Sequence, residues 1–447
     1  MKNSNAFKTK NLKFTSEQHQ GILSESFLSE MQLKNYDMSF RMDQFDENTI
    51  SEYIYFALVA STLTQYSLSE LERIIENLPK DQHSNMKLPK VVGMIPYEQA
   101  SEFLPLKWSD NIYEGVCIIP RVLLAIHKVD KCGILYDMTG LMVESDIFLI
   151  ERDILTVCEN IEKKKTSFAQ KCAEKVNAIN DFDEMLRYQN MFAQSKAHIF
   201  EGDIFQVVLS RKFNFQICES PYAYYLDAMQ NYNLPYNCFM NVKSGRAYAI
   251  TSPEMLVRYD EANVYTRPIA GTRPIKNDGR DLERQVELRN DIKENAEHLM
   301  LVDLGRNDLS KVCKSGSVKI NFYKEVRAYH KVYHMVSEVV GERNFKKIFD
   351  PIRATFPAGT VSGAPKISAM QIIKNLEHDS RGSYAGATYV IDTQDEFKSC
   401  INIRSASFNG DMITLQVGSG IVSDAVVDDE YKELVNKIRG PLEKFGR

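Results

Sequence analysis

Apolar and polar residues recur with two periods along the chain, and the switches between period two and a helical period mark its elements. Residues 52–66 are rich in aromatic and β-branched side chains, as in a strand, and Ser67-Leu68-Ser69-Glu70 then caps a helix to about Leu78. Residues 91–95, 115–119, 122–126 and 133–136 read as short strands between turns, while the polar first twenty residues predict a loose start. From 153 to 195 the sequence is charged and helical, without Gly or Pro, which places a boundary near 180 between a β-rich region 1–180 and a second region 181–447. The second region continues with an amphipathic helix at 182–198 that stops near Gly202, and a strand at 203–210. Residues 221–232 read as a helix, and 236–242, 246–251 and 255–259 as strands, the last two joined by the turn Ser252-Pro253-Glu254. Further strands are expected at 317–320, 332–340 and 384–392, and a hairpin about Asn409-Gly410 joins 399–408 to 412–417. Helices are expected at 366–376 and 428–438, the first preceded by a small-residue loop at 356–366. Hairpins interspersed with helices indicate an α+β fold.

The most distinctive stretch runs from Thr266 to Asp308. Pro268 to Pro274 reads as a turn-rich segment in which Gly271 permits close backbone approach. A long charged helix is then expected over 280–300, with Asp281 as N-cap and Leu282, Val286, Leu288, Ile292, Ala296 and Leu299 as its apolar stripe. On that helix Glu294 and Glu297 lie three apart and share a face, and Glu430 and Glu433 repeat the spacing near the C-terminus. Four carboxylates from two facing helices would suit one hard, partly hydrated divalent cation, magnesium rather than zinc; solvated glutamate pairs have the same spacing.

Other polar residues stand among apolar ones. Gln206, if buried, needs a hydrogen-bond partner, either backbone or ligand. Arg404, placed in a strand over 401–406, needs a structural carboxylate or the carboxylate of a ligand. Gly418-Ser419-Gly420 either offers amides to an anion or is a tight turn. His330 and His334 make a metal pair only on a helix; with strand alternation over 332–340, His334 reads as packed or catalytic.

Composition narrows the class. With 447 residues, 44% hydrophobic and 26% charged, the chain can bury a large core and is not disordered or fibrous. A net charge of -5 gives no electrostatic case for nucleic acid, and no apolar run reaches membrane-spanning length, so a cytoplasmic protein is expected. The eight cysteines lack paired metal-site spacing and read as reduced structural thiols. There is no Walker loop, no GxGxxG after a strand and no nucleophile elbow.

Six segments carry a family resemblance: PIAGTRP at 268–274, ENAEHLMLVDLGRNDL at 294–309, FPAGTVSGAPK at 356–366, RGSYAG at 381–386, INIRSA at 401–406 and GSGIVSD at 418–424. They resemble the chorismate-utilising enzymes, and within them the component I subunits of anthranilate synthase; residues 1–180 resemble the family's N-terminal region only loosely. The resemblance implies a two-part α/β sandwich of antiparallel sheets with helices outside. It implies that Glu297 and Glu433 bind Mg2+ directly, with Glu294 and Glu430 in support. Chorismate would be bound by Gly271, Thr272, Tyr384, Arg404, Gly418, Ser419, Gly420 and Lys437. Glu254 would assist loss of the ring hydroxyl, and His334 and Thr360 would complete the catalytic set. Two positions separate the siblings: isochorismate and salicylate synthases carry a water-activating lysine where Gln206 stands, and aminodeoxychorismate synthases usually carry lysine in place of Ala270. The implied reaction is chorismate plus ammonia to anthranilate and pyruvate, at the start of tryptophan biosynthesis. With no glutaminase motif in the chain, ammonia would come from a glutamine amidotransferase subunit (component II) in a hetero-oligomer. Aminodeoxychorismate synthase, an enzyme stopping at the aminated intermediate, and a silent chorismate-binding subunit are the alternatives.

Overall fold

The structure, a computed structural model, describes residues 7–47, 51–78, 87–106, 108, 115–163, 182–217, 219–232, 234–242, 245–329 and 331–442. His330 lies outside the described residues. The chain begins with β1 (Lys8–Lys13), α1 (Ser16–Ile22), α2 (Glu25–Leu33), β2 (Phe40–Phe45), β3 (Tyr53–Leu63), α3 (Leu68–Glu76) and β4 (Pro89–Ile95). After a 3-10 turn over Tyr97–Glu102 come β5 (Val116–His127), β6 (Cys132–Asp137) and α4 (Glu144–Lys163). Next are α5 (Phe182–Glu201), β7 (Gln206–Gln216), α6 (Pro221–Tyr232), β8 (Tyr236–Val242), β9 (Arg246–Ser252), β10 (Met255–Tyr259), β11 (Asn263–Thr266) and β12 (Ile269–Pro274). Then follow α7 (Asp281–Asn290), α8 (Ile292–Ser310), β13 (Lys319–Tyr329), β14 (Val332–Glu342), α9 (Asp350–Thr355), α10 (Gly359–Ser362) and β15 (Gly363–Ala364). The chain closes with α11 (Lys366–Leu376), β16 (Ala387–Asp392), β17 (Phe397–Ile401), β18 (Ala406–Asn409), β19 (Met412–Ile421) and α12 (Val427–Leu442).

The strands pair antiparallel in two branches that meet at β5. One runs β15-β7-β19-β18-β9-β8-β2-β3-β5. The other runs β5-β4-β16-β17-β10-β11-β14, with β12 and β13 also on β14. Along its second edge β5 pairs with β6 over Val122–Ile126 and with β4 over Val116–Ile118, and Pro120 stands between. A proline has no N–H to give the ladder, and the register against β3 shifts beside it, so β5 passes from one sheet to the other there. The two inner faces form one core, including Met42, Tyr55, Val92, Met94, Cys238, Met240, Ile250 and Val390. In β8 the period-two rule sends Cys238 and Met240 into that core and Phe239 outward, against Tyr222 and Tyr225 of α6. Helices cover the outer faces: α3, α8, α9 and α11 through Leu71, Val302, Ile352 and Met370, and α5 and α12 through Tyr188 and Leu434 against β7. This is the two-part antiparallel sandwich with helices outside.

Strand pairing crosses the expected division at 180/181. β2 pairs with β8 and β4 with β16, and buried Arg41 bonds Tyr222 Oη at 2.6 Å, so residues 1–180 supply strands to the sheets that carry the rest.

Several local expectations change. The polar start is not loose from Lys8 onward, because β1 pairs with β6 along its full length. The single helix over 280–300 is two, broken at Asp291 in extended conformation, whose side chain caps α8 by accepting from the Glu294 amide. Asp281 lies inside the first turn of α7, and Arg280 is the N-cap. Of the expected apolar stripe only Leu288 is buried; Leu282, Val286, Ile292 and Leu299 are exposed. In the segment Pro268 to Pro274, expected as a turn, residues Ile269–Pro274 form the strand β12, with an irregularity at Gly271-Thr272. Arg404 lies between β17 and β18, and Gly418-Ser419-Gly420 belongs to β19 with no tight turn.

Candidate active site

The Ser252-Pro253-Glu254 turn is tied to the end of β17: Ser252 Oγ donates to the Ile401 carbonyl at 2.6 Å, and the Ile401 amide donates to the Glu254 carbonyl at 3.0 Å. This holds the Glu254 side chain inside the protein, 9% exposed. Burial lifts its carboxyl to about 7, helped by the Glu47 charge and opposed by the Thr360 hydroxyl and the Arg404 guanidinium. Thr360 Oγ1 is itself buried and has no well-formed hydrogen bond among the described residues. Glu254 and Thr360 line a small cavity of about 50 Å³ together with Arg267, Leu304 and Asp308. A carboxyl poised near neutrality can carry a proton to a leaving group.

His334 of β14 faces the irregularity in β12. Gly271 there has φ +70, and a Cβ on it would meet Leu288 Cδ1 at 2.7 Å and Glu294 Oε2 at 2.9 Å, so only glycine fits. His334 Nδ1 lies 2.7 Å from the Gly271 carbonyl, which can only accept, so Nδ1 carries the hydrogen and Nε2 of the neutral ring is left as an acceptor. Burial, reinforced by the Arg404 charge and opposed by that carbonyl, lowers the imidazole to about 4. Thr272 Oγ1 lies 3.3 Å from the same nitrogen. Ala270 is buried and pairs with Met335.

In β19 alternation explains the Gly-Ser-Gly sequence. A Cβ on Gly418 would come within 2.5 Å of Tyr384 Oη, and one on Gly420 within 2.8 Å of Gln206 Nε2. Ser419 points the other way, to Tyr188 Oη at 2.6 Å. β7 pairs with β19 through these residues, whereas β18 pairs only to Leu415, so the second edge beyond it has no strand partner among the described residues. Lys437 of α12 donates to the Gly418 carbonyl at 2.8 Å and pairs with Glu433 at 2.6 Å.

Gln206 links this strand pair to the acidic helices. Its side chain lies beside Glu297 and acts to hold that carboxyl down, while its buried Oε1 has no hydrogen-bond partner among the described residues. Burial and then the Glu294 charge push the Glu297 carboxyl up, with Glu433 adding to the rise. Burial and then Glu433 lift Glu430 to about 7, with Glu297 contributing. Glu294 also pairs with Arg273 at 3.2 Å. The expected four carboxylates are thus brought into electrostatic contact. No three of them close to within 4.8 Å at their oxygens; among the described residues only surface His198, Glu201 and Asp203 do so. Oxygen donors of this kind, mutually repelling, are the type that would suit a hard divalent cation.

Arg404 adopts φ +52, uncommon for a residue with a Cβ, and Thr251 Oγ1 donates to its carbonyl at 2.6 Å. Its guanidinium forms no ion pair with a carboxylate among the described residues, yet its charge reaches both Glu254 and His334. Of the two partners considered for it, a structural carboxylate is not found among the described residues. A wider recess of about 350 Å³ near Met42, Tyr53 and Asp392 contains none of these groups.

Sequence reasoning missed Glu47, Arg267 and Glu338, which pack behind Glu254. Arg267 directly precedes the PIAGTRP segment and could have been flagged; Glu47 carried no signal.

An antiparallel sandwich with a poised carboxyl, a neutral imidazole, an arginine with no carboxylate partner among the described residues and acidic side chains in one region has the chemistry of an enzyme site suited to a small anion. The sequence profile described as chorismate binding enzyme matches residues 36–443, and the chain belongs to this family of chorismate-utilising enzymes. It is 42% identical over 393 residues to anthranilate synthase component 1 of Aquifex aeolicus (strain VF5), covering 84% of this chain and 78% of that protein. The structure of anthranilate synthase component I from Streptococcus pneumoniae TIGR4 superposes with a TM-score of 0.72 at 25% identity, over 97% of this chain and 92% of that one. MenF, the menaquinone-specific isochorismate synthase from Escherichia coli, shares the fold with a TM-score of 0.71 at 18% identity, over 99% and 95%. Among the described residues no helix is long and apolar enough to cross a membrane.

Proposed function

We propose that this chain makes anthranilate and pyruvate from chorismate and ammonia, the ammonia being supplied from glutamine by a separate amidotransferase subunit. The observation that carries this reading is Gln206, whose amide sits against Glu297 and beneath Gly420 at the point where a water-activating sibling needs a basic amine. An amide is not a base at any accessible pH, so water is not activated there and ammonia is the nucleophile. Ala270 offers no nucleophilic atom for a covalent route to amination at C4.

In this reading Glu254, protonated, donates to the departing C4 hydroxyl while ammonia adds at C2. Burial of Glu254 keeps this proton transfer away from bulk water. The enolpyruvyl carboxylate is held by Arg404, by Lys437 once it leaves Glu433, and by the open edge of β19 at 418–420. His334 presents Nε2 as the acceptor for the ring proton lost when pyruvate is eliminated and the ring aromatises. Tyr384 and the backbone of Gly271 and Thr272 shape the cleft. Glu297 and Glu433 would hold Mg2+, with Glu294 and Glu430 binding its waters. When bound, the ion supplies positive charge that neutralises the ring carboxylate of chorismate.

Incubating the purified chain with chorismate, ammonium and Mg2+, and resolving products by mass spectrometry, tests the reading. Anthranilate with equimolar pyruvate is expected, and Glu297→Gln or Glu433→Gln should raise the Mg2+ needed for half-maximal rate by at least about tenfold. Accumulation of 4-amino-4-deoxychorismate, of isochorismate, or of an aminated intermediate without pyruvate would each assign a different reaction.

A further inference from the structure

Behind Glu254 lies a buried ion triad. Arg267, 3% exposed, bonds Glu47 Oε2 at 2.6 Å through one guanidinium nitrogen and Glu338 Oε2 through two others, one of them at 3.2 Å. Tyr329 Oη donates to Glu47 at 3.2 Å and Tyr236 Oη at 3.3 Å, while Asn321 Nδ2 donates to Glu338 at 2.8 Å. With a guanidinium and two phenols aimed at it, Glu47 has the surroundings of an ionised carboxylate, although burial pushes its carboxyl up. Two carboxylates against one guanidinium leave the triad with a net negative charge.

The triad is assembled from three distant parts of the chain: the segment after β2, the junction of β11 and β12, and β14. Arg267 lines the same 50 Å³ cavity as Glu254. The other charged groups facing Glu254 are Asp308 of α8, which Lys366 and Lys311 hold at 3.0 and 2.8 Å, and Arg404 from the β17–β18 connection. Tyr384, from the segment before β16, is the remaining titratable neighbour and is neutral. Asp308 is therefore already compensated by lysines, Arg404 is the cation whose charge acts on Glu254, and Arg267 is a further cation of the cavity lining, compensated by Glu47 and Glu338. A bare guanidinium there would favour the ionised form of Glu254 and remove its proton.

We propose that Glu47 is a positioning residue for the chemistry at Glu254: by neutralising Arg267 it keeps the general acid able to hold its proton, and with Glu338 it fixes the start of β12. The proposal rests on the reading of Glu254 as general acid. The direct influence of the Glu47 charge on Glu254 acts in the same sense.

The test is the pH dependence of kcat and KM for Glu47→Gln and Glu338→Gln beside the unaltered protein and Glu254→Gln, with ammonium as nucleophile. Each triad variant removes one negative charge from Arg267, so the alkaline limb of kcat should move down by about half a pH unit, near threefold in rate at pH about 8. KM for chorismate should stay within about twofold, and Glu47→Asp should restore part of the shift. Two variants guard against misfolding of either one, and thermal melts show which are folded. Folded triad variants whose limb stays in place, or whose loss lies in KM alone, overturn the proposal. If Glu254→Gln itself keeps full rate, the general-acid reading fails instead.

Discussion

Glu254 shows how one residue can be chemically useful and structurally costly for the same reason. A carboxyl held at about 7 in the folded protein, against an ordinary value of 4.5, binds its proton more tightly folded than unfolded. The stability this contributes is full below the unfolded value; as pH rises from about 4.5 to about 7 it is lost, on the order of 3 kcal/mol in all. Two consequences are measurable on one variant. In the unaltered protein kcat should fall as pH rises through about 7, because the proton-bearing form disappears. Glu254→Gln should lower kcat by about 100-fold or more and flatten that limb, yet melt at a higher temperature than the parent above pH about 7. A variant that loses activity and melts lower at every pH would contradict the burial argument. His334 behaves oppositely: lowered to about 4, it is neutral wherever the enzyme works, so it adds no limb near neutrality.

At the scale of elements, β19 decides the shape of the cleft. Its two glycines face inward because Tyr384 Oη and the Gln206 amide occupy the space a methyl would need. Gly418→Ala should destabilise the protein by about 1–3 kcal/mol and raise KM for chorismate, since a Cβ at 2.5 Å forces Tyr384 to move. Adding Tyr384→Phe removes the clashing oxygen, so the double variant should recover most of the melting temperature without recovering KM. Additive losses in the double variant would show that the clash is not the cause. The break between α7 and α8 serves the same cleft: Asp291 restarts the helix, and Arg273 ties Asp291, at 2.7 Å, and Glu294 to β12.

On the scale of the whole molecule, the first third of the chain is a structural part of the catalytic unit. β4 lies between β5 and β16, and Glu98 accepts the amides of Arg381 and Gly382 at 2.6 and 3.0 Å, just ahead of Tyr384. A fragment of residues 182–447 would leave β8 and β16 with unpaired edges and expose the core face of Cys238, Met240 and Val390. Expressed alone it should show no cooperative thermal transition by circular dichroism and no turnover. A fragment that melts cooperatively and binds chorismate would mean that the crossing pairs are dispensable.

Much of this molecule was legible in linear order. Helices at 221–232 and 366–376, strands at 236–242 and 255–259, the Ser67 capping box and the Asn409-Gly410 hairpin depend on neighbours a few residues away, and the structure has them at those places. So do the motifs that brought Glu254, His334, Arg404 and the four glutamates under suspicion, because each is a short run of fixed spacing. The sequence by itself therefore determined the α+β composition and named the residue types of the candidate site. Tertiary structure alone decided the rest. Leu282, Val286 and Ile292 read as core because periodicity reports which residues share a face, not whether anything covers it. Glu47 gave no sign because its meaning comes from Arg267 and Glu338, 220 and 291 positions away, and burial beside a charge is a property of position in space.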